Sequence, residues 1–528
     1  MKVNKIKFYE AQGITLVAVI VFFSSLVGCS KFNSINTPKD RLSTAQIDVS
    51  LLGQMFAQAQ YNGIASANTG EFEVIHVLYN DQYAQYVATT HPNFPSDQYQ
   101  EVSAWTGAYG WDVQYSNPAP QVKYVEDYSA SHSLPVVNAI AKIWKVVFYD
   151  RLTDMWGPII YSQYGNGLRS LQYDSQKDIY HDFFNQLDTA VAVLKAHPGE
   201  NAFGNNDLIY GGDANKWLTF ANSLRLRLAM RVSYVDPDLA KQQAEKAVAD
   251  GVMTVNGDNA DMYCDPINSL NYYGQITYII EFAMSATVES IMGGYQDPRI
   301  GEYFAPAIDG GGYHGIRNGL SQADKADRLN LQAKHSFFAT KYRPLANGGT
   351  SPKWGIMSSA EVYFLRAEGA LRGWDMGGTT QELYNEGIRS SLSERTTIST
   401  ADIEAYVTSV NTPVALNDQW NTPAESDIPV AFLTGGSFEK QLEQIITQKW
   451  ISLFPNSEEA WAERRRTGYP AGFPIIQSLN PDVPENAIMR RLTFAEGEFT
   501  NNGPAVQAAI GLLGGPNNNA TRLWWDAK

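Results

Sequence analysis

The chain has 528 residues, 44% hydrophobic and 12% aromatic, with 40 basic against 55 acidic residues and a net charge of −15. Such acidity speaks against nucleic acid or an anionic lipid surface as the partner, because both carry the same sign of charge. Two cysteines supply neither a disulfide framework nor a cysteine metal site, so stability has to come from burial and packing.

At the N-terminus, Lys2, Lys5 and Lys7 precede an apolar run from Ile14 to Val27, which ends in Leu26-Val27-Gly28-Cys29. A basic start, a short apolar core and small residues at the cut site describe a secretory leader over residues 1–28. The run is shorter than the roughly 20 residues a spanning helix needs. Cysteine directly after Leu-Val-Gly is the lipobox pattern of bacterial lipoproteins, in which the thiol takes a diacylglyceryl group and the freed amine a further acyl chain. More than one chain on one residue gives stable anchoring. The expected mature chain is therefore lipidated at Cys29, tethered through a polar stretch over residues 29–45, and folded as one domain over residues 46–528. The most apolar later stretch, Ile140 to Phe148, is interrupted by Lys142 and Lys145 and cannot span a membrane.

Beyond the tether, helical periodicity dominates. Ile140, Trp144, Val147, Phe148 and Leu152 share one face, as do Ile179, Phe183, Leu187, Val191 and Leu194. Further stripes are Trp217, Phe220, Ala221, Leu224, Leu228 and Val232; Tyr363, Ala367, Ala370, Leu371 and Trp374; and Leu442, Ile445, Ile446, Trp450, Leu453 and Phe454. From Glu361 to Leu392 a helix, a break at Gly373 to Gly378 and a second helix resemble a degenerate tetratricopeptide repeat. Residues 91–130, 251–275, 293–355 and 410–437 are rich in Gly, Pro, Asn, Asp and Tyr and read as long loops, ordered by their aromatic content. The fold class is mostly α: one large domain of helix pairs carrying long loops on one face.

Several stretches, in order, resemble the SusD/RagB family of outer-membrane lipoproteins. They are Asp154-Met155-Trp156-Gly157-Pro158-Ile159-Ile160-Tyr161-Ser162, Asn215-Lys216-Trp217-Leu218 running into Ser223-Leu224-Arg225, and Ser359-Ala360-Glu361-Val362-Tyr363-Phe364-Leu365-Arg366-Ala367-Glu368. Ile446-Thr447-Gln448-Lys449-Trp450, Trp461-Ala462-Glu463-Arg464-Arg465-Arg466-Thr467-Gly468-Tyr469-Pro470 and the terminal Arg522-Leu523-Trp524-Trp525-Asp526 complete the set. The triple arginine carries one more than the usual pair. The resemblance implies a cell-surface binder that captures a glycan or peptide oligomer and passes it to a SusC-like TonB-dependent transporter barrel, without turnover and without a cofactor. It also implies a ligand face built from one region near the N-terminus and one in mid-chain.

Aromatic rings suit that face, since Trp and Tyr offer a flat apolar surface with a polar edge. Trp105, Tyr109, Trp111 and Tyr115 form one group of candidates; Tyr272, Tyr273, Tyr295 and Tyr313 form the other. Trp105, Tyr109, Trp111, Tyr273 and Tyr313 are the expected ligand contacts, with Gly107 and Gly110 letting the first region expose its rings. Trp156 before Gly157-Pro158 reads as a helix end, and Trp461 with Arg464 and Arg465 as an internal brace. Gly310-Gly311-Gly312-Tyr313-His314-Gly315 fits G-x-G-x-x-G but has loop on both sides, which points to a ligand-facing loop and not to a dinucleotide site. No G-x-S-x-G, H-E-x-x-H, P-loop or C-x-x-C occurs, and the seven histidines lack metal-ligand spacing. Carboxylate pairs for glycoside hydrolysis are not testable in sequence, because their separation is spatial. A lipid-anchored glycoside hydrolase and a repeat-helix adaptor are the alternatives.

Overall fold

Capping residues set where the helices begin. The computed structural model describes residues 49–65, 68–265, 271–273, 281–342, 353–395 and 398–528; the leader, Cys29 and the tether lie outside the described residues. Helix α1 runs Val49–Ala65, α2 Pro118–Ser131 and α3 Pro135–Trp156, the last two with proline in the first turn, where no backbone N–H is needed. α3 stops at Trp156 because Gly157 adopts φ +86°, which a side chain would resist. In α4 (Gln176–Ala196) Ser175 accepts the Asp178 N–H, in α5 (Ala214–Arg231) Asp213 accepts from Asn215 and Lys216, and in α6 (Pro237–Asp250) Asp236 accepts from Leu239. α7 (Ser359–Leu371) and α8 (Thr380–Ser393) are the helix pair expected around the glycine break, the second opened by a Thr379–Glu382 capping box. α9 (Thr400–Val407), α10 (Phe438–Leu453), α11 (Ser457–Thr467) and α12 (Gly503–Leu512) follow.

Helices pack mainly on their chain neighbours: α3 on α4, α4 on α5, α5 on α6, α7 on α8. α10 closes the scaffold by lying against α7 and α11. Small residues permit the close crossings. A Cβ on Gly387 of α8 would stand 2.7 Å from the Phe364 ring of α7, and Ala367 is fully buried. The periodic stripes read from the sequence fall on these helices, except that Val232, Trp374 and Phe454 lie just past the ends of α5, α7 and α10. The mostly α fold with repeat-like pairs is the fold observed.

Charge is buried where the helices meet. Arg227 pairs with Glu361 at 2.6 Å, Arg231 with Glu459 at 2.5 Å and Glu463 at 2.8 Å, and Arg466 with Glu368 at 2.5 Å. Lys449 reaches Glu459 at 3.4 Å and Glu463 at 3.3 Å. These pairs join α5, α7, α10 and α11, so the third arginine of the triplet, Arg466, is a structural cation. Arg465 lies 3.7 Å over the Trp461 ring, and the Trp461 indole donates to the Met489 carbonyl at 2.8 Å, which makes this cluster an internal brace.

Strands are few among the described residues. β1 (Val87–Thr89), β2 (Ala260–Met262), β3 (Phe282–Met284) and β4 (Trp354–Met357) form two antiparallel pairs, β1 with β3 and β2 with β4. One loop expectation is corrected. Much of 91–130 is helical, with Ser103–Trp105 as one α-turn, Thr106–Trp111 as a π-helical turn, Asp112–Ser116 as another α-turn, and then α2. The wider π-turn breaks the 3.6-residue period, so the stripe there could not be read. Residues 410–437, by contrast, contain no helix or strand.

Candidate functional site

Loops that follow β3 line a cavity of about 480 Å³. Ile316 pairs with Ser285 in a parallel bridge, the Ile316 N–H donating to the Met284 carbonyl at 2.8 Å and the Ala286 N–H to the Ile316 carbonyl at 2.8 Å. This close approach needs a glycine beside it, since a Cβ on Gly315 would stand 2.2 Å from the Ser285 carbonyl oxygen. Gly310, Gly311 and Gly312 take φ +88°, +67° and +78°, a left-handed run that only glycine sustains cheaply and that turns His314 toward the cavity. The G-x-G-x-x-G stretch is thus a loop bordering a cavity.

A turn from Leu416 to Thr422 forms the opposite wall. Asp418 organises it, its carboxylate accepting the Trp420 N–H at 3.1 Å, the Thr422 N–H at 3.0 Å and the Thr422 hydroxyl at 2.6 Å. The turn presents Trp420, half-buried, against a cluster of Ala88, Ala283, Ile316, Leu320 and Phe337. Arg317 lies 5.8 Å from the Trp420 ring and 5.1 Å from the Phe473 ring, bonds the Thr422 hydroxyl and the Pro474 carbonyl, and has Asp418 at 3.8 Å. The indole is therefore held by packing on one side and a guanidinium on another, which fixes an aromatic surface at the cavity.

The remaining lining is polar. Glu289 accepts the Gly315 N–H at 2.7 Å and stands 3.4 Å from His314. Burial pushes the Glu289 carboxyl up, and the Gly315 N–H and His314 pull against that. His335 is 7% exposed, and burial pushes it down to about 4, so its ring is neutral at neutral pH. Lys334, Asn330, Asn417 and Gln419 complete the polar part. A cavity with one braced indole and several amides is equipped to hold a polyhydroxylated ring. A second cavity, of about 400 Å³, lies among Lys341, Tyr342, Lys353 and Phe454, and its rim flanks residues outside the described set. Among the described residues, no group of three or more His, Cys, Asp or Glu is arranged to hold a metal ion.

The five expected ligand aromatics fall in different settings. Trp111 is 2% exposed, stacked on Tyr173 at 5.6 Å and edge-on to Trp156 at 5.7 Å. Gly110 serves that packing, since a Cβ there would stand 2.6 Å from Ile75 and 3.1 Å from Trp156. Glycine here admits neighbours and does not expose rings. Tyr273 is fully buried, stacked on Trp354 at 5.5 Å, with its hydroxyl donating to Asp81 at 2.9 Å. In this conformation neither Trp111 nor Tyr273 offers a face to a ligand. Tyr295 is buried too, donating to the Ile428 carbonyl at 3.0 Å, and the Tyr115 hydroxyl donates to the Ile160 carbonyl at 2.9 Å. Trp105 is half-buried and edge-on to Phe94 at 6.3 Å, and Tyr109 is 42% exposed. Tyr313 is half-buried beside His314, with its hydroxyl over Gly301. None of the five lines the 480 Å³ cavity. Trp420 does, and it was missed as a lone tryptophan in a loop. The signal that points to it is the Asp418-Gln419-Trp420-Asn421-Thr422 turn, where Asn421 takes φ +51°.

Comparison with known proteins follows the same line. A family profile described as SusD-like, Susd and RagB outer membrane lipoprotein, matches residues 34–526. A chitin-binding SusD homolog from Flavobacterium johnsoniae is 35% identical, with 90% of this chain and 98% of that one covered and a TM-score of 0.83. A SusD homolog from Bacteroides thetaiotaomicron is 32% identical over 90% of this chain and 99% of its own, with a TM-score of 0.80. One from Bacteroides uniformis is 30% identical over 91% of this chain and 100% of its own, with a TM-score of 0.81. No curated protein sequence matches the chain.

Proposed function

The chain belongs to the Susd and RagB family of outer membrane lipoproteins, and from that membership we propose that it captures oligosaccharides in the Trp420 cavity and hands them to a TonB-dependent transporter barrel. The observation that carries the reading is the braced Trp420 ring at the edge of a cavity of about 480 Å³ lined by Asn330, Asn417 and Gln419. A sugar ring lays its C–H face on such an indole while side-chain amides take its hydroxyls. A structure of similar fold is chitin-binding, so β-linked N-acetylglucosamine oligomers belong in the ligand panel as its neutral reference. Trp105, Tyr109 and Tyr313 remain as outlying ring contacts for a longer oligomer. Lipidation at Cys29 would hold the body at the outer membrane, facing outward. The reading is one of binding without turnover.

Titration calorimetry on the lipid-free body against chitin oligomers, other glycans and short peptides tests it. Trp420→Ala should weaken binding about tenfold, which corresponds to about 1.4 kcal/mol, with an unchanged circular dichroism spectrum. Unchanged affinity for every ligand that wild type binds would remove the cavity from the proposal. Shortening of the oligomers on incubation would favour the hydrolase instead. For the transporter, a large β-barrel should co-purify from detergent-solubilised outer membranes without added substrate. A body that purifies alone under those conditions would favour the free adaptor.

A further inference from the structure

We propose that the oligosaccharide received in the Trp420 cavity carries an anionic substituent, a carboxylate or a sulfate ester, and that Lys334 receives it; this rests on the cavity being the ligand site. Four of its lining residues carry formal charge: Glu289, Arg317, Lys334 and Asp418. Three of them are committed within the protein. Glu289 holds the Gly315 N–H and faces His314. Asp418 holds the backbone of its own turn and the Thr422 hydroxyl. Arg317 spends its terminal nitrogens on Thr422 and the Pro474 carbonyl, with Asp418 beside it. Lys334 ends the short helical turn Gln332–Lys334, is half-buried at the cavity wall, and forms no ion pair among the described residues.

A lysine that lines a cavity without a carboxylate partner leaves its ammonium free to take an incoming anion. A charge-assisted hydrogen bond to carboxylate or sulfate is about twice as strong as one to a neutral hydroxyl. Lys334 and Asn330 line the same cavity as Trp420, so a sugar held there has both among its neighbours. The net charge of −15 does not oppose this at contact range. Physiological salt screens charges beyond about 8 Å, which mutes the acids elsewhere on the surface, and within the lining Glu289 and Asp418 are engaged by internal donors.

The test is calorimetry on the lipid-free chain with three probes of equal length: chitotetraose, tetragalacturonate and a sulfated galactan tetramer. One of the anionic probes should bind at least tenfold tighter than chitotetraose, and its affinity should fall as salt rises. Which anionic probe binds tells a carboxylate from a sulfate ester. Lys334→Gln should remove that tenfold preference, while Lys334→Arg should retain it. Chitotetraose binding as tightly as both anionic probes, no anionic probe binding at all, or a preference untouched by Lys334→Gln each overturns the proposal. Trp420→Ala separates the two readings. If it abolishes binding while Lys334→Gln changes nothing, only the anionic substituent is wrong; if it changes nothing, the cavity itself is wrong.

Discussion

Glu463 lies among three buried cations at the helix junction. It is 2% exposed on α11 and accepts from Arg231 at 2.8 Å and from Arg466 at 2.9 and 2.6 Å, with Lys449 at 3.3 Å. Glu463→Gln keeps the shape and removes the charge, leaving three buried cations each short of a partner. Breaking one buried pair costs about 3–5 kcal/mol, because the abandoned charge stays desolvated. Here the loss is shared. Arg231 keeps Glu459 at 2.5 Å and Asp154 at 3.0 Å, Arg466 keeps Glu368 at 2.5 Å, and Lys449 keeps Glu459 at 3.4 Å. We therefore expect the lower end, about 3 kcal/mol at pH 7. Burial alone would raise the Glu463 carboxyl, but Arg466, Lys449 and Arg231 overcome it and hold the group well below the carboxylate range. A depressed folded-state pKa gives stability that is fully present above the unfolded value, about 4.3, and lost as pH falls below it toward the folded value. The gap between wild type and variant in urea unfolding should accordingly be constant from pH 7 to about 5 and shrink in stronger acid. A gap below about 1 kcal/mol at pH 7, or one that widens in acid, would refute the network's role.

Other consequences are simpler to check. Ala367→Trp overfills the α7 crossing, where Ala367 is fully buried, and should cost about 1–3 kcal/mol or more; an unchanged thermal midpoint would mean that face does not pack. Trp111→Ala should cost about 3–5 kcal/mol in urea unfolding, as loss of a core indole does, whereas Tyr109→Ala at an exposed ring should stay within about 0.5 kcal/mol. Equal costs for the two would contradict the packing on Tyr173 and Trp156. Cys264 is 2% exposed and its thiol is pushed up to about 12 by burial, so iodoacetamide should label it only after unfolding; rapid labelling of the folded chain would refute its burial. Cys29→Ala should abolish incorporation of labelled palmitate, and incorporation equal to wild type would rule out Cys29 as the acceptor.

The scaffold was legible because its signal is local. Stripes such as Ile179, Phe183, Leu187, Val191 and Leu194 repeat over about four turns of one helix, and Ser175 marks its start. The junction charges were not legible, although each residue was in view. Nothing in Glu361 or Glu463 alone says that Arg227 and Arg231, more than 100 positions earlier, will neutralise them. Helix α11 is polar in composition yet buried along its length, since its charges are satisfied across the fold and not by water.

The ligand face was harder to read for a related reason. An aromatic in irregular sequence can be turned outward or can pin its loop to the scaffold, and flanking glycines are common to both. Gly110 removes a side chain so that Ile75 and Trp156 can close on Trp111, whereas Gly315 removes one so that the backbone can pair with Ser285 and open a wall of the cavity. The two glycines are indistinguishable in sequence, because what differs is the neighbour brought in from elsewhere in the chain. A turn residue carries better information. Asp418 fixes the backbone of Trp420 and Thr422 with its own carboxylate, so the backbone that carries the indole is set within five residues, and distant packing then holds the ring. Ring direction is therefore easier to infer where a short polar side chain organises the turn than where glycines merely permit one, and on that criterion Trp420 ranks above Trp105, Trp111 and Tyr313.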